Sequence, residues 1–177
     1  MREGVEFHDG SEFDAEVVVY NMKRLLNHPE QGDIKNSYRD IDDITAIDKY
    51  TIQFKHKTPV AEFLRMISYF NSPMFSLSSF DENGNIIKSI GTGPFVFEKY
   101  IKNDSIILSK NKNYWNEEPK LEQVVFKYIP DPNTRLAALE SGEVDALADV
   151  GAVMPEYNME KAEELSKTTL KGKKTLS

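Results

Sequence analysis

The spacing of apolar residues changes from helical to strand-like several times along the chain. Over residues 14–27, valine, methionine and leucine recur at three- and four-residue intervals, which predicts an amphipathic helix capped by Ser11 or Asp14. Residues 51–56 alternate between polar and apolar, and residues 44–47 form a second β-like run. The first third of the chain is therefore expected to contain one helix followed by a two-stranded hairpin.

A second helix and a group of strands are predicted in the middle of the chain. Residues 60–70 follow a proline and place four apolar residues on one helical face: Phe63, Leu64, Ile67 and Phe70. Strands are expected at residues 95–101, 105–109 and 121–129, and a polar turn joins the first two.

The last part of the chain alternates again. Asp131 and Pro132 open a predicted helix over residues 134–141, and Gly142 supplies its stop signal. Three further elements complete the pattern: a strand over 144–148, a helix over 155–167 and a strand over 168–176. Because strands and helices alternate without the regularity of a doubly wound sheet, the pattern predicts an α/β lobe with a mixed sheet.

Composition and charge exclude several classes of function. The 177 residues include 29 acidic and 22 basic side chains, a net charge of −7, which is the wrong sign for a protein that neutralises nucleic-acid phosphates. Four lysines near the carboxyl end are typical of a solvated strand edge. No run approaches the roughly 20 apolar residues of a membrane span. The absence of cysteine excludes disulfides, thiol nucleophiles and cysteine-bound zinc.

No catalytic or metal-binding pattern is evident among the polar residues. His8, His28 and His56 are far apart and lack partners at ligand spacing, so surface or turn positions are expected for all three. The acidic run at residues 40–43 lacks the alternating spacing of a calcium loop. Serine is plentiful, but no nucleophile elbow or serine–lysine pair appears. We therefore expect a protein that is not an enzyme, and we predict no metal site and no cofactor.

The segment Gly91-Thr92-Gly93-Pro94 resembles a phosphate-binding loop in its glycine content. It lacks the following lysine and the third glycine of the known loops, and it leads into a strand rather than a helix, so nucleotide binding is not expected. We expect instead that Gly91 and Gly93 adopt backbone angles that other residues resist, and that Pro94 fixes the entry into the strand.

Two further side chains each have a ligand-binding and a structural interpretation. Trp115, next to Tyr114, can serve as a stacking platform for a ligand or as an anchor in the core. Arg135, near the start of its helix, can hold a ligand carboxylate through two hydrogen bonds. Alternatively, it can pair with Glu143 or Asp145 and join the helix to the next strand.

The order of the motifs is more informative than any single residue. Three phrases follow one another between residues 91 and 147: GTGPFVFEKY, NKNYWNEEP and IPDPNTRLAALESGEVDAL. With REGVEFHDGSEFDAEVV at residues 2–18, they resemble the solute-binding proteins of bacterial ABC importers for peptides and nickel, the family 5 or cluster C receptors.

The resemblance implies a type II periplasmic-binding-protein-like fold, of which residues 1–177 form a truncated, mixed-sheet α/β lobe. Such receptors have two lobes and are much longer than this chain. The chain is therefore expected to be a single partial domain, without the amino-terminal segment and most of the second lobe. The resemblance places the GTGP segment near the interlobe hinge and the ligand between the lobes, which favours the structural interpretations of Trp115 and Arg135.

The resemblance also implies a function. The chain is expected to belong to the substrate-binding component of an ABC importer, which captures peptides or nickel, as a chelate, outside the cytoplasmic membrane and delivers them to the permease. Such a receptor is periplasmic or a membrane-attached lipoprotein, and its export signal lies outside this chain. Two alternatives stay open: an enzyme domain of unrecognised chemistry and an interaction domain.

Candidate ligand-binding residues follow from the nickel receptors of the family. Receptors that take nickel as a small carboxylate chelate use arginines and a tryptophan from this lobe to hold the chelator. The corresponding positions in this chain are Gln31, Ile34 and Asn71, which reproduce neither the charge nor the indole. A neutral lining suits a peptide, or a metallophore that is held differently, and the choice between peptide and nickel stays open.

Overall fold

The computed structural model describes residues 1–27, 38–68 and 72–147. The chain divides into two compact units. The first contains Met1–Ile101 and Ser105–Phe126, and the second contains Lys102–Asp104 and the described residues from Lys127 onward. Within this described part, no helix has the length and apolar character needed to cross a bilayer.

The first unit is built on helix α1 (Ala15–Asn27), as predicted. Asp14 caps the helix, because its Oδ1 accepts a hydrogen bond from the backbone N–H of Val17 at 3.0 Å. Val18, Met22 and Leu25 recur at helical spacing and are all buried. The apolar face of α1 therefore forms one side of the main core cluster.

The predicted hairpin forms the other side of this cluster. Strands β1 (Ile41–Asp48) and β2 (Thr51–His56) pair antiparallel, with Ile44 opposite Phe54. Asp48 closes the turn by accepting a hydrogen bond from the backbone N–H of Tyr50 at 2.9 Å. β1 begins three residues before the predicted run, because Ile41 is itself buried in the cluster.

The predicted helix over residues 60–70 is wrong in length and in one of its apolar positions. Helix α2 (Phe63–Ile67) is little more than one turn. Phe63, Met66 and Ile67 pack against the core cluster. Leu64 is one position along from Phe63, which rotates its side chain about 100° around the helix axis, and it is 77% exposed. Phe70 lies outside the described residues.

Three strands form a second sheet in the order β3–β4–β5. β3 (Phe95–Ile101) and β4 (Ser105–Lys110) pair antiparallel with an irregularity between Phe97 and Lys99. β5 (Gln123–Lys127) is shorter than predicted. The turn between β3 and β4 contains Asn103 at φ 59°, a conformation that asparagine tolerates better than most residues.

The second unit contains helix α3 (Pro132–Glu140). Asp131 caps it by accepting from the backbone N–H of Thr134 at 2.8 Å, and Gly142, at φ 77°, ends it as predicted. The strand predicted from residue 144 is wrong over the described residues 144–147. The backbone N–H of Val144 bonds to the carbonyl of Ala138 instead, so this stretch folds back on the helix. The elements predicted over 155–167 and 168–176 lie outside the described residues.

Candidate functional site

The three predicted ligand-binding residues, Gln31, Ile34 and Asn71, lie outside the described residues. Two residues that follow them in the sequence, Tyr38 and Ser72, are described and lie in contact. Tyr38 comes directly after the segment that contains Gln31 and Ile34, and Ser72 comes directly after Asn71. The hydroxyl groups of Tyr38 and Ser72 are hydrogen-bonded to each other.

The junction between Tyr38 and Ser72 is buried and includes α2. Tyr38 is 2% exposed and Ser72 is 8% exposed. The Tyr38 hydroxyl also donates to the carbonyl of Met66 at 3.0 Å. Because an unpaired hydroxyl at such a site would cost about 1–3 kcal/mol, these bonds hold the three positions together. Tyr38, Met66 and Ser72 therefore lie together, although 34 residues separate Tyr38 from Ser72 in the sequence.

A cleft of about 470 Å³ opens beside this junction. Three of its lining residues are buried members of the core cluster: Tyr38, Ile41 and Ile44. Five are charged and exposed: Lys23, Arg39, Asp42, Asp43 and Lys57. An apolar base with a few polar groups around it, in a volume of several hundred Å³, is the usual form of a small-molecule site.

The carboxylates of the cleft are paired with lysines. Asp43 lies 3.6 Å from the Lys23 ammonium and Asp42 lies 2.7 Å from that of Lys55. The hydrogen bond from the Ile44 backbone N–H, with help from Thr45, holds the pKa of Asp43 below its usual value. The Asp42 carboxylate raises the pKa of Lys55 in turn. The opposite charges of these two pairs offset one another locally.

The prediction of a surface or turn position is wrong for His56, whereas His8 lies in a turn. His56, at the end of β2, packs edge-on against the Phe63 ring at 4.5 Å, and both of its ring nitrogens are buried without a hydrogen-bond partner. His8 is bonded to the glycine segment discussed below. His28 lies outside the described residues. Across the residues that the structure describes, no group of three or more histidine or carboxylate side chains is arranged to hold a metal ion.

The segment Gly91-Thr92-Gly93-Pro94 is held through its backbone. The carbonyl of Gly91 accepts from the His8 backbone N–H at 2.9 Å, and that of Pro94 accepts from the Asn111 backbone N–H at 2.9 Å. His8 Nε2 donates to the Gly93 carbonyl at 3.0 Å while its Nδ1 accepts from the Gly91 N–H at 3.3 Å. This pattern requires the neutral imidazole with its proton on Nε2.

The conformational prediction for the two glycines is wrong. Neither Gly91 nor Gly93 has a positive φ, whereas Gly10 does, at 81°. A Cβ at Gly93 would meet nothing within 4 Å, and one at Gly91 would meet only the His8 ring at 3.9 Å. The backbone hydrogen bonds of this segment, rather than special backbone angles, distinguish it. Sequence reasoning missed His8 as their partner, because the two are more than eighty residues apart.

Trp115 fastens a loop to the same segment. Its indole Nε1 donates to the Thr92 carbonyl at 3.0 Å, and the guanidinium of Arg2 lies 4.4 Å from its ring centroid. Tyr114 is tilted against it at 5.0 Å. Trp115 is 37% exposed, so its position combines a specific anchor with a partly open face.

Arg135 is engaged with the backbone that leads into its own helix. Its Nη1 donates to the carbonyls of Ile129 at 3.0 Å and Pro130 at 3.4 Å. Glu143, one of its two predicted partners, accepts from Lys127 Nζ at 2.9 Å. These contacts stabilise the approach to α3, and the role of Arg135 towards a ligand stays a prediction.

A network around Asp9 was not predicted at all. Its carboxylate accepts hydrogen bonds from the backbone N–H and hydroxyl of Ser11 and from the hydroxyls of Ser76 and Ser78. Burial alone would raise the pKa of Asp9, but these bonds outweigh it and hold the pKa well below its usual value. Sequence reasoning could not find this network, since Ser76 and Ser78 lie more than sixty residues away from Asp9.

Comparison with known proteins gives one consistent result. The family described as bacterial extracellular solute-binding proteins, family 5 Middle, matches residues 1–174. The nickel-binding periplasmic protein of Escherichia coli K12 is 31% identical over 159 residues, which are 88% of this chain and 30% of that protein. The glutathione-binding protein GsiB of Salmonella paratyphi A is 31% identical over 146 residues, 81% of this chain and 28% of that protein.

Similarity extends to solved structures. The ABC transporter-associated periplasmic binding protein DppA from Helicobacter pylori, in complex with the peptide STSA, superposes with a TM-score of 0.71 at 29% identity. The superposition covers 94% of this chain and 36% of that one. This chain thus spans about a third of the length of the proteins it matches. With a family match over nearly all of its residues, the chain belongs to family 5 of the bacterial extracellular solute-binding proteins.

Proposed function

We propose that this chain is part of the substrate-binding component of an ABC importer, which captures a peptide or a nickel chelate outside the cytoplasmic membrane. The family match over residues 1–174 is the observation that carries this proposal. The similar proteins are named for nickel, for glutathione or for a bound peptide, and all are binding proteins rather than enzymes. Because the chain spans about a third of their length, the activity belongs to a longer protein.

The proposed mechanism is capture by closure of two lobes around one solute. A solute shifts the equilibrium between open and closed forms only through contacts that it makes better in the closed form. The closed receptor then docks on the permease subunits, which are its proposed protein partners. The receptor would be located in the periplasm, or would be attached to the outer face of the membrane by a lipid anchor.

The first unit would contribute one wall of the solute site. The hydrogen bonds among Tyr38, Met66 and Ser72 bring Tyr38, which follows Gln31 and Ile34 in the sequence, next to Ser72, which follows Asn71. If those residues line the site, they supply amide groups and one apolar side chain but no charge. Such a lining suits the backbone of a peptide, which offers amide donors and acceptors of its own.

Calorimetric titration tests the proposal. The full-length protein that contains this chain and a protein consisting of residues 1–177 are titrated with nickel(II)–histidine, with glutathione and with the tetrapeptide STSA. We expect the full-length protein to bind one of the three and residues 1–177 to bind it at least tenfold more weakly, because one lobe cannot close around a solute. Equal affinity of the two proteins, or no binding of any solute by the full-length protein, would contradict the proposal.

A further inference from the structure

The cleft beside the Tyr38 junction contains positive charge that its own carboxylates do not offset. Of its charged lining residues, Asp43 is paired with Lys23, and Asp42 is paired with Lys55, which lies just outside the lining. The Lys57 ammonium donates only to a neutral group, the carbonyl of Arg39, at 3.0 Å. Two cations, Arg39 and Lys57, therefore remain without a carboxylate partner among the described residues.

Both cations line the cleft, Arg39 just before β1 and Lys57 just after β2. The bond from Lys57 Nζ to the Arg39 carbonyl joins the residue just after β2 to the chain just before β1. The backbone N–H of Lys57 also bonds to the carbonyl of Asp40 at 2.8 Å. The chain as a whole carries a net charge of −7, so two cations without carboxylate partners at one cleft are a local exception. A small anion bound there would gain from both charges at once.

Other lining groups limit how much negative charge the cleft can take. The carboxyl end of α1 lines the cleft through Leu26 and Asn27, and unpaired carbonyls at a helix end carry partial negative charge. Asn27 reduces this charge by donating from Nδ2 to the carbonyl of Lys23 at 2.8 Å. The carboxylates of Asp42 and Asp43 also remain nearby. A group with a single negative charge is therefore better suited than a phosphate dianion.

We infer that this cleft binds a carboxylate group of a small solute, with Arg39 and Lys57 as its charged contacts and Tyr38, Ile41 and Ile44 as its apolar base. The volume of about 470 Å³ accommodates a molecule of the size of a short peptide. This inference rests on the proposed function, because it names the chemical class of the solute. It also adds two residues that the sequence analysis did not identify. Arg39 and Lys57 would supply the positive charge that Gln31, Ile34 and Asn71 lack.

Nuclear magnetic resonance titration of the ¹⁵N-labelled chain tests the inference. The probes are N-acetyl-trialanine as the free acid, the same peptide as its carboxyl amide, and inorganic phosphate. We expect the free acid to shift the backbone resonances of Arg39, Asp42, Ile44 and Lys57, and the amide to leave them in place. Arg39→Gln and Lys57→Gln should each weaken binding of the free acid about tenfold, because each removes one charged hydrogen-bond donor.

The matched control is Lys102→Gln, which removes one positive charge from the turn between β3 and β4 and is not among the residues that line the cleft. It should bind the free acid as the unaltered chain does. Unchanged spectra away from the cleft will show that the variants are folded, since Arg39 and Lys57 are exposed. Equal shifts by the acid and the amide, no shift by the acid, tighter binding of phosphate, or unchanged affinity in both variants would each overturn the inference.

The inference and the proposed function fail in different ways. If the full-length protein binds a solute by calorimetry and Arg39→Gln does not weaken that binding, the function stands and the carboxylate contact is wrong. If the full-length protein binds no solute while the free acid still shifts the cleft resonances, the cleft stands and the proposed function is wrong.

Discussion

Single polar side chains join parts of the first compact unit that are far apart in the sequence. Asn21 is 2% exposed on α1. Its Nδ2 donates to the Phe75 carbonyl at 2.8 Å, and its Oδ1 accepts from the Phe75 backbone N–H at 3.0 Å. One amide side chain thus satisfies both backbone groups of a residue in a loop, which would otherwise be left unpaired in a partly buried position.

Replacing the Asn21 side chain should destabilise the folded protein. We expect Asn21→Ala to lower the free energy of unfolding by about 2–3 kcal/mol, because both polar groups of Phe75 lose their partner. Asn27→Ala serves as a control, because Asn27 is exposed and donates to one carbonyl of its own helix. Urea unfolding measures both. A cost for Asn21→Ala no larger than that of the control would show that the loop does not depend on this bond.

Asp9 should make stability depend on pH. Its folded-state pKa lies below the ordinary value of 3.8, so the unfolded chain takes up its proton first as the pH falls. The stabilisation is therefore complete above about pH 5 and is lost progressively below pH 4. We expect Asp9→Asn to cost about 1 kcal/mol at pH 7, after allowance for screening by solvent, and the difference from the unaltered chain to shrink at pH 2.5.

The control for Asp9 is Glu82→Gln, which removes an exposed carboxylate from a turn. Its effect on the free energy of unfolding should be small at both pH values. If the cost of Asp9→Asn is the same at pH 7 and pH 2.5, the network of serine hydroxyls does not stabilise the ionised carboxylate in the way the contacts indicate.

The elements that local spacing specifies were predictable, and those that depend on distant partners were not. α1, the β1–β2 hairpin, the β3–β4 turn and α3 carry their apolar spacing, caps and turn residues within a few positions. α2 was overestimated in part because Leu64 was counted as apolar helix face without knowing where the core lies. The strand expected at 144 failed because a strand needs a neighbour, and in the described residues Val144 finds the helix carbonyl of Ala138 instead.

Replacing glycine by alanine is expected to be destabilising at Gly10 and nearly neutral at Gly93. Gly10 closes the first turn at φ 81°, where any side chain is strained, whereas Gly93 has no positive φ and has space for a Cβ. We expect Gly10→Ala to lower the free energy of unfolding by about 1–2 kcal/mol and Gly93→Ala to change it by no more than about 0.5 kcal/mol. Thermal unfolding of the two variants decides the point. A larger cost at Gly93 would restore the conformational interpretation of the GTGP segment.

At the scale of the whole molecule, the sequence identified the family more securely than the site. The ordered phrases between residues 91 and 147 are turns, anchors and caps, and the structure shows them bonded mainly to backbone groups. Such residues identify a fold because turns, anchors and caps set the path of the backbone. They say little about the solute, because bonds to the protein's own backbone do not depend on what the protein binds.

The candidate site was only partly accessible to sequence reasoning. Gln31, Ile34 and Asn71 were predicted by similarity to nickel receptors, whereas Arg39 and Lys57 became candidates only when the cleft and its ion pairs were seen. Whether a lysine is neutralised depends on a carboxylate elsewhere in the fold, and neither composition nor spacing contains that information. Local charge, unlike helical spacing, is a property of the folded chain.

The central claim is that the chain belongs to a receptor that captures a small solute and does not transform it. Native mass spectrometry of the full-length protein, purified from its own host without denaturation, tests this most directly. We expect one small molecule or metal chelate bound per protein, released unchanged on unfolding, and carrying a carboxylate. A protein that carries no solute when isolated, and gains none from an extract of its host's medium, would contradict the account.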